Sequence, residues 1–225
     1  MSTLRSQLAQ VITEVGFSKW GVADISGLHP LSDGYPTAVS IGLSYEIPFE
    51  SYHEPSYLGL TVRVREAFDG KFARVLDFLK QTGIRHVVPG VAPHDPANGV
   101  PVYPHKLSAA RAGLGWIGKS TLLVTPEFGP RLRLATILLA DQLEADLPVT
   151  ESRCGACDKC SVACPNEAIY DVLWQPNAGS KQPFSAANCG KREEYIATLG
   201  RKHACGHCLL VCPVGGLGNY RPASP

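Results

Sequence analysis

Cysteine is missing from the first 153 residues of this chain, although the sequence holds eight of them. All eight lie between Cys154 and Cys212, so any chemistry that needs thiols belongs to the C-terminal part. A long apolar run is missing as well. No stretch approaches the ~18 residues of a membrane-spanning helix. The start shows neither a basic-then-apolar leader nor a twin-arginine signal. The expectation is a soluble, cytoplasmic protein in a reducing compartment, where disulfides are rare. Charge of one sign is the third absence. Lys+Arg number 21 and Asp+Glu 20, a formal net charge of +1, which leaves no global electrostatic argument for a nucleic acid or an anionic membrane as partner. Glycine (22) and proline (18) are plentiful, as suits a loop-rich module. The 225 residues are enough for one large domain, or for one medium and one small domain.

The cysteines carry the strongest pattern. Cys154, Cys157, Cys160 and Cys164-Pro165 read C-x2-C-x2-C-x3-C-P, and Cys205, Cys208 and Cys212-Pro213 repeat C-x2-C-x3-C-P, with Cys189 standing in for the missing first member. This is the spacing of bacterial two-cluster ferredoxins, in which the fourth Cys ligates the other cluster. Three thiolates two residues apart on a tight loop wrap one corner of an iron–sulfur cube, and the fourth ligand comes from elsewhere. The crossing rule assigns Cys154, Cys157, Cys160 and Cys212 to one [4Fe-4S] cluster and Cys164, Cys189, Cys205 and Cys208 to a second. Zinc, which takes four ligands in C-x2-C pairs or Cys/His mixtures, leaves the third Cys and both Cys-Pro pairs unexplained. Disulfides suit small secreted domains instead.

Residues 3–16 have the apolar spacing of an amphipathic helix (Leu4, Leu8, Val11, Ile12, Val15), capped by Ser2 or Thr3 and ended by Gly16. Strands are expected over 17–23 and 38–45, separated by a Pro/Gly/Ser/Asp loop. A long helical face runs from Tyr57 to Lys80, with a candidate break at Asp69-Gly70, and a strand is expected over 84–88. Residues 91–104 read as a loop and 105–112 as a short helix. Residues 120–125 and 132–140 read as a strand pair joined by P-E-F-G-P. The fold class expected is α+β: a mixed α/β domain over residues 1–145, its helices covering an antiparallel or mixed sheet, followed by a two-cluster ferredoxin-like module over 146–225, with 146–153 as the link.

Gly113 to Ser120, G-L-G-W-I-G-K-S, formally matches the phosphate-binding pattern G-x-x-x-x-G-K-[ST]. That motif needs a strand before it and a helix starting at its end. Here a helical segment precedes it, Ser120 to Val124 reads as strand, and Trp116-Ile117 is bulky where a loop must hug phosphate. Nucleotide binding by Lys119 is therefore not expected.

The stretch H-K-L-S-A-A-R-A-G-L-G-W-I-G-K-S-T-L-L-V-T-P-E-F-G, then R-L-R-L-A-T-I-L-L and the eight-cysteine module, resembles the epoxyqueuosine reductase family, which is related to the reductive dehalogenases. G-F-S-K-W-G-V-A and A-V-S-I-G-L-S-Y-E-I-P extend the resemblance towards the N-terminus. It implies a flavin-free, nitroreductase-like domain that holds cobalamin base-off beside the clusters, with a cluster passing electrons to the corrin. The family's corrin contacts fall on Leu123 and Leu134, which read equally well as core strand residues. The family's proton-donating Asp, in D-x-x-P-x-x-E, falls on Gly99, and its Glu on His105. The spacer between Asp24 and Pro36 is shorter than the family's, and the sequence stops at Pro225 without the helical repeats that grip tRNA. An epoxyqueuosine-bearing tRNA is therefore not the expected substrate.

Asp95, Tyr103 and His105 are the candidate catalytic residues, as proton donors, and His94 or His105 is a candidate lower corrin ligand. His86 reads as a structural strand residue. His207, inside C-G-H-C, reads as a hydrogen-bonding neighbour of a cluster. Lys191, Arg192, Arg201 and Lys202 read either as a solvated face or as a docking surface for an electron donor such as flavodoxin or ferredoxin. The expectation leans to an enzyme, a corrinoid-dependent reductase acting on a small-molecule or protein-bound substrate. The alternative is a ferredoxin-like electron carrier with no corrinoid of its own.

Overall fold

The computed structural model describes residues 3–45, 54–90, 103–175, 183–198 and 205–216. The chain forms two compact units, each assembled from separated segments. The first comprises Met1–Ser44, Ala67–Leu114 and Arg133–Thr150; the second comprises Tyr45–Glu66, Gly115–Leu132 and Glu151–Pro225.

The first unit starts with helix α1 (Leu4–Glu14), where the Thr3 side chain accepts the Ser6 N–H as an N-cap. Gly16, at φ +78°, turns the chain out of it. Strands β1 (Lys19–Asp24) and β2 (Thr37–Ser44) pair antiparallel, Val22 opposite Val39. Helix α2 (Glu54–Gln81) is continuous. The break expected at Asp69-Gly70 is not there. One helical Gly costs only about 1 kcal/mol, and the apolar face on either side outweighs it, with Phe68, Val75 and Leu79 all buried.

Strand β3 (His86–Val87) is shorter than expected and pairs antiparallel with β6 (Leu132–Leu139). The four-stranded sheet runs in the order β1-β2-β6-β3. Residues i and i+2 of a strand share a face. Val39 and Ile41 of β2, and Ile137 and Leu139 of β6, therefore meet Leu8 and Ile12 of α1 and Val75 and Leu79 of α2 in one core. The opposite face is buried too, at Ala38, Ser40, Thr136 and Leu138. Helix α3 (His105–Arg111) packs on β1 and β2 there, bringing Ser108, Ala109 and Ala110. The segment read as a link is pinned. The Asp146 N–H donates to the Val22 carbonyl (2.8 Å), its carboxylate accepts the Val22 N–H (2.8 Å) and pairs with Arg5 (2.7 Å), and the Val149 N–H reaches the Ala110 carbonyl (2.9 Å).

The expected pairing of residues 120–125 with 132–140 is corrected. Strand β5 (Leu123–Val124) pairs with β4 (Trp116–Ile117) in a separate two-stranded sheet, while β6 belongs to the four-stranded one. Between β4 and β5 the chain makes a turn, with Thr121 at φ +57°. The residues after Gly118 cannot extend as a strand because they fold back. In the second unit the cysteine-bearing segments form short helices and loops. Tyr57, Leu209 and Leu210 make a small core there, joined by Leu58, Leu60 and Leu122. Among the described residues, no helix is long and apolar enough to cross a membrane.

Replacing fully buried Ile137 by Ala is expected to lower unfolding free energy by about 2–5 kcal/mol. Val62→Ala, on the exposed side of α2, should stay within about 0.5 kcal/mol. Urea unfolding of the two variants checks the pair.

Candidate metal centre

Each cysteine loop is shaped by local backbone chemistry. Cys154 and Cys157 lie on a turn closed by the Cys157 N–H on the Cys154 carbonyl (3.1 Å), with Gly155 left-handed at φ +53°. Helix α4 (Lys159–Val162) carries Cys160. Cys164 follows it, and its Sγ accepts the Ala168 N–H (3.2 Å). Cys189 lies on helix α5 (Ala186–Thr198) and Cys208 on helix α6 (His207–Leu210), with Cys205 just before α6 and Cys212 just after it. Gly206, at φ +65°, enters α6 under the ring of Tyr57, where a Cβ would stand 2.4 Å from a ring carbon. Only glycine fits that approach.

None of the eight cysteines forms a disulfide, and each is half-buried. Burial first, and then the nearby Cys154, Cys212 and Cys157, push Cys160 up to about 11. Burial, together with Cys205, Cys160, Cys164 and Cys189, likewise pushes Cys208 up to about 12. The neighbours of Cys160 thus include the other three members of the first set, and Cys208 of the second. Those of Cys208 include the other three members of the second. Cys164, Cys189, Cys205 and Cys208 also line one cavity of about 240 Å³, with Tyr57 and Arg192 in its wall. Among the described residues, no three His, Cys, Asp or Glu side chains gather closely enough for a single metal ion. Four thiols facing a shared space suit a polynuclear cluster better than a lone zinc, which needs its sulfurs at about 2.3 Å. Thiols raised this far stay protonated at neutral pH until a metal displaces the proton.

Two buried cations hold the loops. Arg131, only 1% exposed, donates to the carbonyls of Leu209 (3.4 Å), Cys212 (3.1 Å) and Val214. Burial lowers its pKa, and Cys212 opposes that. Lys119 donates to the Cys157 carbonyl (3.0 Å) and the Asp171 carboxylate (2.7 Å). The phosphate-loop lookalike therefore spends its lysine on a cysteine loop. No helix starts at its end, as expected. Gly118 beside it would set a Cβ 3.4 Å from the Cys154 Sγ.

His207 lies at the start of α6 and in the cavity wall. Burial raises the Cys205 pKa, and Arg192, which bonds the Cys205 side chain, opposes that; its guanidinium also lies 5.0 Å from the Tyr195 ring centre. Lys191 is exposed, its Nζ 3.5 Å from Asn188 Oδ1. Arg201 and Lys202 lie outside the described residues, as do Asp95, His94 and Gly99.

In the first unit the structure brings Tyr103 and His105 together. Their ring centres are 5.0 Å apart, and the ring of His29 stands 5.3 Å from that of Tyr103. Tyr103 OH bonds Ser108 Oγ (2.6 Å), and burial raises it to about 12. His105 Nδ1 lies 3.1 Å from Thr136 Oγ1, and burial lowers its pKa. His86 bonds the Ile84 carbonyl (2.7 Å) as a structural residue would. Leu123 is buried in β5, and Leu134 is half-buried in β6. Sequence reasoning missed Arg131, Asp171, Tyr57 and His29. The one signal available for Arg131 is a charged residue that opens an apolar strand and so needs buried partners.

A 4Fe-4S binding domain model matches residues 147–170. The epoxyqueuosine reductase of Listeria monocytogenes is 36% identical over 109 residues, 47% of this chain and 28% of that protein. That of Synechocystis sp. is 30% identical over 198 residues, 84% of this chain and 64% of that protein. The chain thus spans less than two thirds of these relatives. Among solved structures, an epoxyqueuosine reductase with an epoxyqueuosine-modified tRNA-Tyr stem loop superposes with a TM-score of 0.63 at 21% identity, covering 97% of this chain and 67% of that one. A reductive dehalogenase described for B12-dependent dehalogenation gives 0.65 at 17% identity, covering 92% and 31%. At such identities these two show a shared fold.

Arg131→Met removes the donor that the Leu209, Cys212 and Val214 carbonyls share. It is expected to lower unfolding free energy by about 1–3 kcal/mol and to reduce the iron retained per chain, read by urea unfolding and by iron assay after anaerobic desalting.

Proposed function

We infer, because this chain is a relative of the epoxyqueuosine reductases that spans less than two thirds of its curated relatives, that it is an iron–sulfur oxidoreductase. In this reading it carries two [4Fe-4S] clusters. Cys154, Cys157, Cys160 and Cys212 hold one, and Cys164, Cys189, Cys205 and Cys208 hold the other. The observation that carries this is the cavity walled by four thiols from three separate stretches of chain, the grouping that the crossing rule requires. The match over residues 147–170 supports the chemistry of the first run.

The chain's own residues then have defined work. The eight thiolates bind iron, and the main-chain N–H of Ala168 offers a hydrogen bond to the Cys164 sulfur. Arg192 at the cavity wall partly offsets the burial that raises the Cys205 pKa. An external donor such as flavodoxin or ferredoxin supplies the electrons, one at a time. Tyr103 and His105 are the proton donors in this reading. Tyr103 remains protonated throughout the physiological range because its pKa is raised to about 12.

The fold likeness to the B12-dependent dehalogenase supports a nitroreductase-like first domain and a corrinoid as the second cofactor. Leu123 and Leu134 would offer it apolar side chains. When bound, a corrinoid supplies a strongly reducing centre for bonds that the clusters alone do not cleave. The acceptor in this reading is a small molecule or a protein-bound group. A second reading has its own observation. Leu123 is only 6% exposed, as a core strand residue is, which suits an electron carrier with no corrinoid of its own.

Anaerobic reconstitution followed by iron and sulfide assay is expected to give about eight irons per chain. Hydroxocobalamin titration under a low-potential reductant then separates the readings. Stoichiometric binding with a cob(I)alamin band supports the reductase, and eight irons without corrin binding supports the carrier. Zinc in place of iron would sink both.

A further inference from the structure

Lys119 has two features that holding a loop does not require. It is a buried cation, with its side chain 4% exposed, and its counter-ion Asp171 is 46% exposed. The ammonium sits within electrostatic reach of Cys154 and Cys160 while bonding the carbonyl of Cys157. One charge thus faces all three cysteines of the first run. The turn that presents it is fixed by the Gly118 N–H on the Leu122 carbonyl and the Thr121 N–H on the Gly118 carbonyl, both 2.9 Å. Thr121 and Asp171 are two of the three non-glycine residues held left-handed among the described residues. Such strain persists only where the surroundings enforce it.

We propose that the Lys119–Asp171 ion pair sets the reduction potential of the cluster held by Cys154, Cys157, Cys160 and Cys212, with the lysine raising it and the aspartate moderating it. The proposal rests on the two-cluster reading above. One-electron reduction by an external donor adds one negative charge to the cluster, and no bond in the protein forms or breaks. A positive charge fixed nearby in a poorly solvated place stabilises the reduced form over the oxidised one. The carboxylate opposes that, but less strongly, because solvent screens its exposed side. Lys119 bonds the first run, and Gly118 beside it lies against Cys154, so the second cluster's potential serves as the internal reference.

The test is a dithionite titration of the reconstituted protein followed by electron paramagnetic resonance. The wild type, Lys119→Met, Asp171→Asn and the double variant are compared, each with its iron content measured first. Lys119→Met is expected to lower the potential of one of the two signals. Asp171→Asn is expected to raise that same signal by a smaller amount, and the double variant to return towards wild type. A merely structural pair would move both single variants the same way, or move neither. Equal shifts of both signals also overturn the proposal. If Lys119→Met loses iron, Asp171→Asn carries the test alone, its signal rising or the proposal failing. A wild type that binds zinc, or far fewer than eight irons, defeats the cluster reading before any variant is compared.

Discussion

Gathering thiolates out of water is the constraint on which the second unit depends. A buried thiol resists ionisation, and a neighbouring thiolate makes it resist further. Both effects act on Cys160 and on Cys208. Without compensating positive charge, such a set stays protonated or the loops spread apart. Iron supplies most of that charge in the reading proposed here. The rest comes from the polypeptide. Lys119 faces the Cys154–Cys160 loop, Arg131 the Cys212 loop, and Arg192 the Cys205 thiol.

This requirement explains why residues 115–132 belong to the cysteine-bearing unit although they lie far from it in sequence. They bring both buried cations. They also approach the last cysteine loop backbone to backbone, and a Cβ on Gly129 would sit 2.1 Å from the Val214 carbonyl. Gly129 is therefore fixed by that contact as well as by its φ of +57°. The first part of α2 joins the same unit by placing Tyr57 over Gly206 and against Leu209 and Leu210. The first unit solves a different problem. Its sheet is buried on both faces, by α1 and α2 on one side and α3 on the other, so Thr136 and Ser108 are buried polar groups, each with a partner near α3.

Much of this was legible in advance. The 3.6-residue period marked α1 and α2, and short range suffices for that signal because neighbouring turns share a face. The cysteine spacing named the eight candidate ligands, since loop geometry around a cluster is local. The resemblance around Arg111 to Lys119 pointed to the epoxyqueuosine reductases, and the relatives bear that out. Other features were not legible. Asp69-Gly70 looked like a break because local propensity says nothing about the packing of Phe68, Val75 and Leu79, which keeps α2 whole. Leu123-Val124 and Leu132–Leu139 looked like partners because they are close in sequence, yet the first pairs with β4 and the second with β3. Lys119 looked like a failed phosphate ligand because a motif does not reveal where a side chain finds its counter-ion.

What the sequence determined by itself was the inventory: which residues are helical by period, which cysteines share a loop, and how little net charge there is to attract a polyanion. The first two depend on neighbours within a few residues, and the third is a sum over the chain. What only the tertiary structure decided was the company each group keeps. It gathered four cysteines from three stretches in the wall of one cavity, set Tyr103 beside both His29 and His105, and gave Lys119 to Asp171, 52 residues away. Charges and thiols act through space, and distance in space is fixed only when the chain has folded.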